Sequence, residues 1–169
     1  MGSALFPKED WTSAYEEKRY EVLYQRGIRG IIFDIDNTLV AHGAPANERA
    51  VLLVRHLKEK GFAICFLSNN KEPRVRSFCE PLGAAYIYKG GKPKREGYER
   101  AMKLMGTSRE QTAAVGDQIF TDIWGANRAG VHTVLVKPIG KKEEIQIVLK
   151  RYLERIVLFF YRKQKKRGN

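Results

Sequence analysis

Short apolar runs alternate with amphipathic stretches along most of the chain. Five runs are predicted to be strands, over residues 28–35, 62–67, 84–88, 112–115 and 131–136. The apolar spacing between them is typical of helices, which we predict over residues 11–25, 47–60, 73–82, 94–105 and 121–129. Strands that alternate with helices indicate an α/β fold with one doubly wound, mostly parallel, five-stranded sheet.

Polar residues follow the predicted strands at the points where those strands end. Asp34 and Asp36 come after the first strand, Ser68 after the second, and Asp117 after the fourth. The carboxyl ends of parallel strands lie at one edge of a sheet, so we expect these side chains to form one site. Burying ionised carboxylates is costly unless they are paired or bound to metal, so Asp34 and Asp36 also predict a cation.

Four short motifs carry a resemblance to a known enzyme family. They are DIDNTLV at 34–40, LSNN at 67–70, Lys-Pro at 92–93 and GDQIFTD at 116–122. In order and spacing they resemble the motifs of the haloacid dehalogenase (HAD) superfamily of phosphatases, over roughly residues 28–136. The Gly-Ile-Arg-Gly lead at 27–30, VKPI at 136–139 and the basic C-terminal helix further resemble the YqeG-like branch of subfamily IIIA. These are small phosphatases similar to the mitochondrial phosphatidylglycerophosphate phosphatase.

The resemblance implies a Rossmann-like fold and a phosphatase with three catalytic residues. Asp34 would attack phosphorus and form an aspartyl-phosphate, which divides a difficult hydrolysis into two easier steps. Asp36 would protonate the leaving alcohol and then deprotonate the attacking water. Lys92 would neutralise charge on the transferring group, because phosphoryl transfer depends mostly on positioning and electrostatics.

The resemblance also implies a phosphate-binding set and a metal set. The phosphate oxygens would be held by Thr38, Ser68 and Asn69. Mg2+, a hard ion that prefers oxygen ligands, would be held by Asp34, Asp36 and Asp117. Asp122 would support the site by orienting Lys92 or a metal-bound water.

Other interpretations of these residues stay open at this point. An EF-hand calcium loop could begin at Asp34, but Leu39 stands where that loop requires glycine. The same residues could form an ordinary acidic turn. Ser68 and Asn69 could simply cap a helix, and Asp122 could simply place a negative charge at a helix N-terminus.

Three lysines compete for the catalytic position. Lys89, Lys92 and Lys94 lie within six residues of one another. Lys92 precedes Pro93 at a predicted helix start and fits best, with Lys94 as the alternative.

The spacing of the motifs leaves no room for the cap domain that many HAD enzymes carry. About thirty residues separate Asp36 from Ser68, and 23 separate Ser68 from Lys92. Both intervals are filled by predicted helices and strands. We therefore expect an open site, which favours bulky phosphorylated substrates over small metabolites.

The C-terminal segment carries most of the net charge. Residues 137–169 hold eleven basic and three acidic residues, which is eight of the twelve net positive charges. The pattern over 145–161 predicts an amphipathic helix, apolar all round at 156–161, followed by a basic run at 162–167. We expect residues 1–140 to form the core and residues 141–169 a helix and tail of the same domain. This helix either packs on the sheet or contacts an anionic membrane surface through residues 145–167.

These features together predict a Mg2+-dependent phosphomonoester hydrolase that acts on a bulky or lipid phosphate such as phosphatidylglycerophosphate. One alternative is a phosphatase for nucleic-acid or protein phosphate, with the basic tail holding a polyanion. Another is a non-enzymatic binding protein associated with RNA or the ribosome.

Cys65 and Cys79 lie in apolar runs and indicate reduced thiols. We expect a cytoplasmic protein, peripheral on the inner face of the membrane.

Overall fold

The computed structural model describes residues 2–140 and 142–165. The chain forms two compact units, Met1–Ile139 and Gly140–Asn169. The first unit contains one parallel sheet with helices on both faces, and the second contains one long helix. That residues 141–169 belong to the same domain as residues 1–140 stays a prediction.

Six strands form the sheet, one more than the sequence pattern predicts. They are β1 (Glu9–Trp11), β2 (Gly30–Phe33), β3 (Ala63–Leu67), β4 (Ala85–Ile87), β5 (Thr112–Gly116) and β6 (His132–Val136). Their order is β1-β6-β5-β2-β3-β4, and every neighbouring pair is parallel. The predicted doubly wound α/β sheet is therefore confirmed.

Five helices of the first unit pack on this sheet. They are α1 (Glu17–Gln25), α2 (Glu48–Glu59), α3 (Glu72–Cys79), α4 (Glu96–Met105) and α5 (Trp124–Ala129). Single helical turns cover Gly2–Leu5, Glu80–Leu82 and Ile119–Ile123. The Asn47 side chain caps α2 by accepting a hydrogen bond from the Ala50 backbone nitrogen at 2.9 Å.

The additional strand β1 replaces the start of a predicted helix. The pattern predicts a helix from residue 11, but α1 begins at Glu17. Residues 9–11 instead extend the sheet beside β6. The Trp11 indole packs edge-on against the Tyr20 ring, with 4.9 Å between ring centroids, and this contact ties the strand to α1.

The apolar core lies on both faces of the sheet. On one face Phe33 stacks on Phe66 at a centroid distance of 5.8 Å, and Phe66 packs edge to face with Phe78 at 5.6 Å. On the other face, Tyr98 of α4 is among the residues that pack against Ile32, Cys65 and Ala114. Cys65 and Cys79 are buried free thiols, and burial raises the pKa of each to about 12.

The order of the strands reverses between β2 and β5. From β2 the chain continues to β3 and β4 on one side, whereas β5 is followed by β6 on the other. Such a switch point opens a crevice at the carboxyl ends of the two strands. The Asp34 backbone nitrogen donates to the Val115 carbonyl at 3.0 Å and joins the two strand ends. In the described chain, the loop 41–47, α2 and β3 fill the interval from Asp36 to Ser68, and no cap domain is evident.

The second unit contains helix α6 (Lys142–Lys165). Apolar side chains along it are exposed, among them Ile147 at 53%, Leu153 at 49% and Val157 at 65%. Among the described residues, no helix has the length and hydrophobicity required to cross a membrane. Lys141 and residues 166–169, which include the end of the predicted basic run, lie outside the described residues.

Gly97 provides a test of the packing between α4 and the loop that precedes it. A Cβ on Gly97 would lie 2.5 Å from the Gly90 carbonyl oxygen. Glycine to alanine normally stabilises a helix by about 1 kcal/mol. Here we expect Gly97→Ala to destabilise the protein by about 1–3 kcal/mol, because the contact overpacks the loop. Urea denaturation measures the change, with Lys103→Ala at an exposed position of α4 as the control. Stabilisation by Gly97→Ala would contradict this packing.

Candidate active site

The turn after β2 positions the two acidic residues of the first motif. Asn37 has a φ of +62°, in the left-handed region that asparagine tolerates better than most residues. Its backbone nitrogen donates to the Val40 carbonyl at 2.7 Å, which closes the turn. The Asp34 carboxylate lies beside Lys92, whereas the Asp36 carboxylate lies beside Arg74.

Lys92 links the ends of three segments. Its Nζ lies 2.8 Å from Asp34 Oδ1 and 2.6 Å from Asp122 Oδ1. Burial alone would lower the pKa of the Lys92 amine. The attraction of the Asp122 and Asp34 carboxylates is stronger than this effect, so the pKa of Lys92 lies well above its ordinary value. Lys92 is therefore cationic in the site. The other two candidates, Lys89 and Lys94, are exposed.

The backbone around Lys92 is held by the strand end of β3. The Asn69 side chain donates to the Lys92 carbonyl at 3.0 Å and accepts from the Lys92 nitrogen at 2.8 Å. Both ends of its amide are thus used to position the lysine, whereas the sequence predicts a phosphate ligand. Ser68 is buried, and its Oγ accepts from the Asn70 nitrogen at 3.1 Å.

Asp117 and Asp122 enter the site from the end of β5 and the helical turn that follows it. A Cβ on Gly116 would lie 2.5 Å from Asp122 Cγ, so a glycine at this position allows the carboxylate to approach the strand. Asp122 Oδ2 accepts a hydrogen bond from the Gln118 nitrogen at 3.2 Å. Thr38 Oγ1 lies 3.1 Å from Asp34 Oδ2 and 3.2 Å from Asp117 Oδ1, between the two strand ends.

Three carboxylates crowd around one ammonium group. Asp34, Asp117 and Asp122 each place an oxygen within 4.8 Å of the others. Burial, followed by repulsion from Asp34 and Asp122, raises the pKa of Asp117 well above its ordinary value. Burial and Asp34 raise the pKa of Asp122 to about 6, although Lys92 opposes the shift. When ionised, the three acids carry two more negative charges than Lys92 neutralises.

This cluster fits a divalent cation. Asp117 Oδ2 is buried and has no hydrogen-bond partner in the described part of the chain. A buried carboxylate oxygen of this kind is costly unless a cation or donor satisfies it. Hard divalent ions prefer such oxygen ligands. Asp34, Asp117 and Asp122 could therefore hold a divalent metal ion.

Asp36 lies outside this three-carboxylate cluster, although the sequence predicts it as a metal ligand. Its carboxylate instead accepts hydrogen bonds from the Gly43 nitrogen at 2.8 Å, Asn70 Nδ2 at 2.7 Å and Arg74 Nη2 at 2.8 Å. Asn70 and Arg74 are site residues that the sequence interpretation misses. Asn70 belongs to the LSNN motif and could have been found there, whereas Arg74 carries no comparable signal.

The sequence of this chain is similar to those of known hydrolases and phosphatases. The model for haloacid dehalogenase-like hydrolases matches residues 41–130. The probable phosphatase YqeG of Bacillus subtilis (strain 168) is 40% identical over 139 residues, which cover 82% of this chain and 81% of that protein. The chloroplastic/mitochondrial phosphatidylglycerophosphate phosphatase 1 of Arabidopsis thaliana is 28% identical over 88% of this chain but 45% of that protein.

A solved structure shows the same fold. The haloacid dehalogenase-like hydrolase of Brucella suis 1330 superposes with a TM-score of 0.55, over 68% of this chain and 87% of that chain, at 13% identity. The family predicted from the four motifs is thus confirmed by the family match and by the similarity to YqeG. The chain therefore belongs to the haloacid dehalogenase-like hydrolases, as a phosphatase.

Proposed function

We propose that the protein is a Mg2+-dependent phosphomonoester hydrolase that forms an aspartyl-phosphate on Asp34 and acts on a lipid phosphate. The observation that carries the proposal is the contact of the cationic Lys92 with Asp34, at 2.8 Å, within a cluster that has excess negative charge. An anionic nucleophile beside a buried cation suits the transfer of an anionic phosphoryl group.

In the proposed reaction, an Asp34 oxygen forms a bond to phosphorus as the ester P–O bond breaks. The leaving alkoxide takes a proton from Asp36 and departs as the alcohol. A water molecule then attacks phosphorus and gives its proton to Asp36. Inorganic phosphate leaves and the Asp34 carboxylate is regenerated.

Several groups support the phosphoryl group during transfer. Lys92 places its positive charge beside the nucleophile. Thr38 and Ser68 supply hydroxyl groups from the ends of β2 and β3. Mg2+ bound by Asp34, Asp117 and Asp122 would supply the charge that lets a carboxylate approach a phosphate dianion.

Two features support a lipid as the substrate. The described core has no evident cap, so a bulky phosphate can reach the carboxyl ends of the strands. Helix α6 carries exposed apolar residues, such as Leu149 and Leu153, together with the exposed basic residues Lys150, Arg151 and Arg155. A helix of this composition suits the surface of an anionic membrane. The similarity to a phosphatidylglycerophosphate phosphatase points to the same substrate class.

The covalent intermediate can be tested with Asp36→Asn. With an alkyl phosphate we expect a loss of about 10²–10⁴-fold in kcat, the usual contribution of a general acid–base group. With p-nitrophenyl phosphate, whose leaving group needs no proton, the first step proceeds and the second is slow. A phosphorylated protein should therefore accumulate, with hydroxylamine-sensitive phosphate on Asp34 by mass spectrometry.

Asp34→Asn should abolish both turnover and this labelling. Asp10→Asn, the same change at an exposed position of β1, serves as the control and should behave as the unaltered protein. Turnover that survives Asp34→Asn, or phosphate found on another residue, would rule out Asp34 as the nucleophile.

Metal binding should appear in thermal unfolding. The pKa of Asp122 is about 6 in the fold, against an ordinary value of 3.8, so the folded protein binds an extra proton between these values. The metal-free protein should therefore lose stability as the pH rises from about 4 to about 6. Mg2+ competes with protons, so it should stabilise more strongly above this range, by about 2.7 kcal/mol at about 100-fold above its Kd.

Asp117→Asn separates metal binding from other effects of Mg2+. It removes one of the crowded carboxylates, so we expect a higher melting temperature in EDTA and a much smaller response to Mg2+. Asp10→Asn should keep the full response. An equal response of Asp117→Asn and the unaltered protein would show that Mg2+ binds elsewhere.

Membrane contact can be tested by removing charge from α6. Replacing Lys150, Arg151 and Arg155 with glutamine should weaken binding to phosphatidylglycerol vesicles by about 1 kcal/mol for each residue. The control replaces three exposed basic residues of the core, Lys18, Arg55 and Lys103, in the same way. Sedimentation with vesicles measures binding. Equal binding of the two variants would contradict a role for α6, and a preference for single-stranded RNA would favour the polyanion alternative.

A further inference from the structure

Donor groups surround the Asp36 carboxylate. The Gly43 nitrogen, Asn70 Nδ2 and Arg74 Nη2 lie within 2.8 Å of its oxygens. His42 Nδ1 lies 3.9 Å from Asp36 Oδ1. The side chains of Asp36 and Arg74 are 12% and 21% exposed, so the pair is shielded but open to a ligand.

Arg74 has more hydrogen-bonding capacity than Asp36 uses. One of its nitrogens, Nη2, bonds to the carboxylate, while the buried Nε has no hydrogen-bond partner in the described part of the chain. A guanidinium group has five N–H donors, and leaving one buried and unsatisfied is unfavourable for the fold. The buried Nε is closed to a ligand, but the side chain as a whole is 21% exposed, so a ligand can reach the rest of the guanidinium group beside Asp36.

The proposed reaction defines where that ligand lies. Asp36 gives its proton to the leaving oxygen, so the leaving alcohol must lie against this carboxylate. Arg74 and His42 contact the same carboxylate and therefore border the leaving alcohol rather than the transferred phosphoryl group. A guanidinium is well suited to bind phosphate or carboxylate through two parallel hydrogen bonds.

We propose that Arg74 and His42 form an anion subsite beside Asp36 for a second anionic group on the leaving alcohol. Preferred substrates are then phosphomonoesters whose alcohol carries a further phosphate. The inference rests on the proposed function, because it uses the role of Asp36 toward the leaving group. The anionic group can belong to a lipid headgroup or to a small soluble bisphosphate, since the guanidinium recognises the same chemistry in both.

Two matched pairs of substrates test the subsite. The soluble pair is propane-1,3-diol monophosphate and propane-1,3-diol bisphosphate, which differ in the second phosphate. The lipid pair, in identical mixed micelles, is phosphatidic acid and phosphatidylglycerophosphate, and in the second of these the leaving alcohol carries a phosphodiester. Phosphate release with Mg2+ gives kcat and KM for each. A higher kcat/KM for the doubly anionic member of both pairs indicates a subsite for any second anion. A higher kcat/KM in the lipid pair alone indicates a subsite for the lipid headgroup.

The preference should depend on Arg74. In the unaltered protein we expect the second anion to raise kcat/KM by about tenfold or more, a modest gain for a charge-assisted contact. Arg74→Gln should remove most of that ratio, mainly through KM of the doubly anionic substrate, while Arg74→Lys should keep part of it. Arg76→Gln alters an exposed arginine of the same helix and should leave the ratio unchanged.

The ratio between paired substrates separates recognition from structural damage. If Arg74→Gln merely disturbs Asp36, both members of a pair lose activity equally and the ratio persists, which would overturn the subsite. Equal kcat/KM within both pairs for the unaltered protein would also overturn it, while leaving the proposed function intact. An absence of phosphate release from all four substrates would instead refute the proposed function itself, and the subsite with it.

Discussion

The structure depends on an imbalance of charge at the carboxyl ends of β2 and β5. Three carboxylates converge there, and one buried ammonium, Lys92, contacts two of them. The strand order makes this convergence unavoidable, because the switch point places both strand ends at one crevice. Lys92 joins three separate segments of the chain, yet it leaves Asp117 Oδ2 unsatisfied. The fold thus creates a demand for positive charge that a divalent ion and the chemistry of phosphoryl transfer can use.

Close backbone contacts keep this arrangement rigid. Gly116 allows Asp122 to approach the end of β5, and Gly97 lets α4 pack on the carbonyl of Gly90. Asn69 fixes the backbone of Lys92 from the neighbouring strand end. These contacts leave little space for adjustment around the acids, and burial together with two ion pairs holds the long Lys92 side chain in place. Precise placement of charge is the main requirement of phosphoryl transfer.

The sequence predicts the sheet and the convergence of the site, because both depend on local patterns. Apolar runs mark five of the six strands, and parallel strands bring Asp34, Ser68 and Asp117 to one edge of the sheet. The strand β1 has three residues with two acids among them, and its formation depends on pairing with β6 far along the chain. Arg74 likewise reaches Asp36 through tertiary packing. Neither feature leaves a periodic signal in its own segment, so sequence reasoning misses both.

The turn after β2 places two neighbouring acids in different surroundings. A spacing of two residues in a continued strand would place both carboxylates on one face of the sheet. β2 ends at Phe33, before both acids, and in the turn that follows Asp34 lies beside Lys92 while Asp36 lies beside Gly43, Asn70 and Arg74. One acid thus lies among other carboxylates and the other among donors. A single turn therefore separates the two acids, so that one faces the candidate metal site and the other faces the guanidinium group of Arg74.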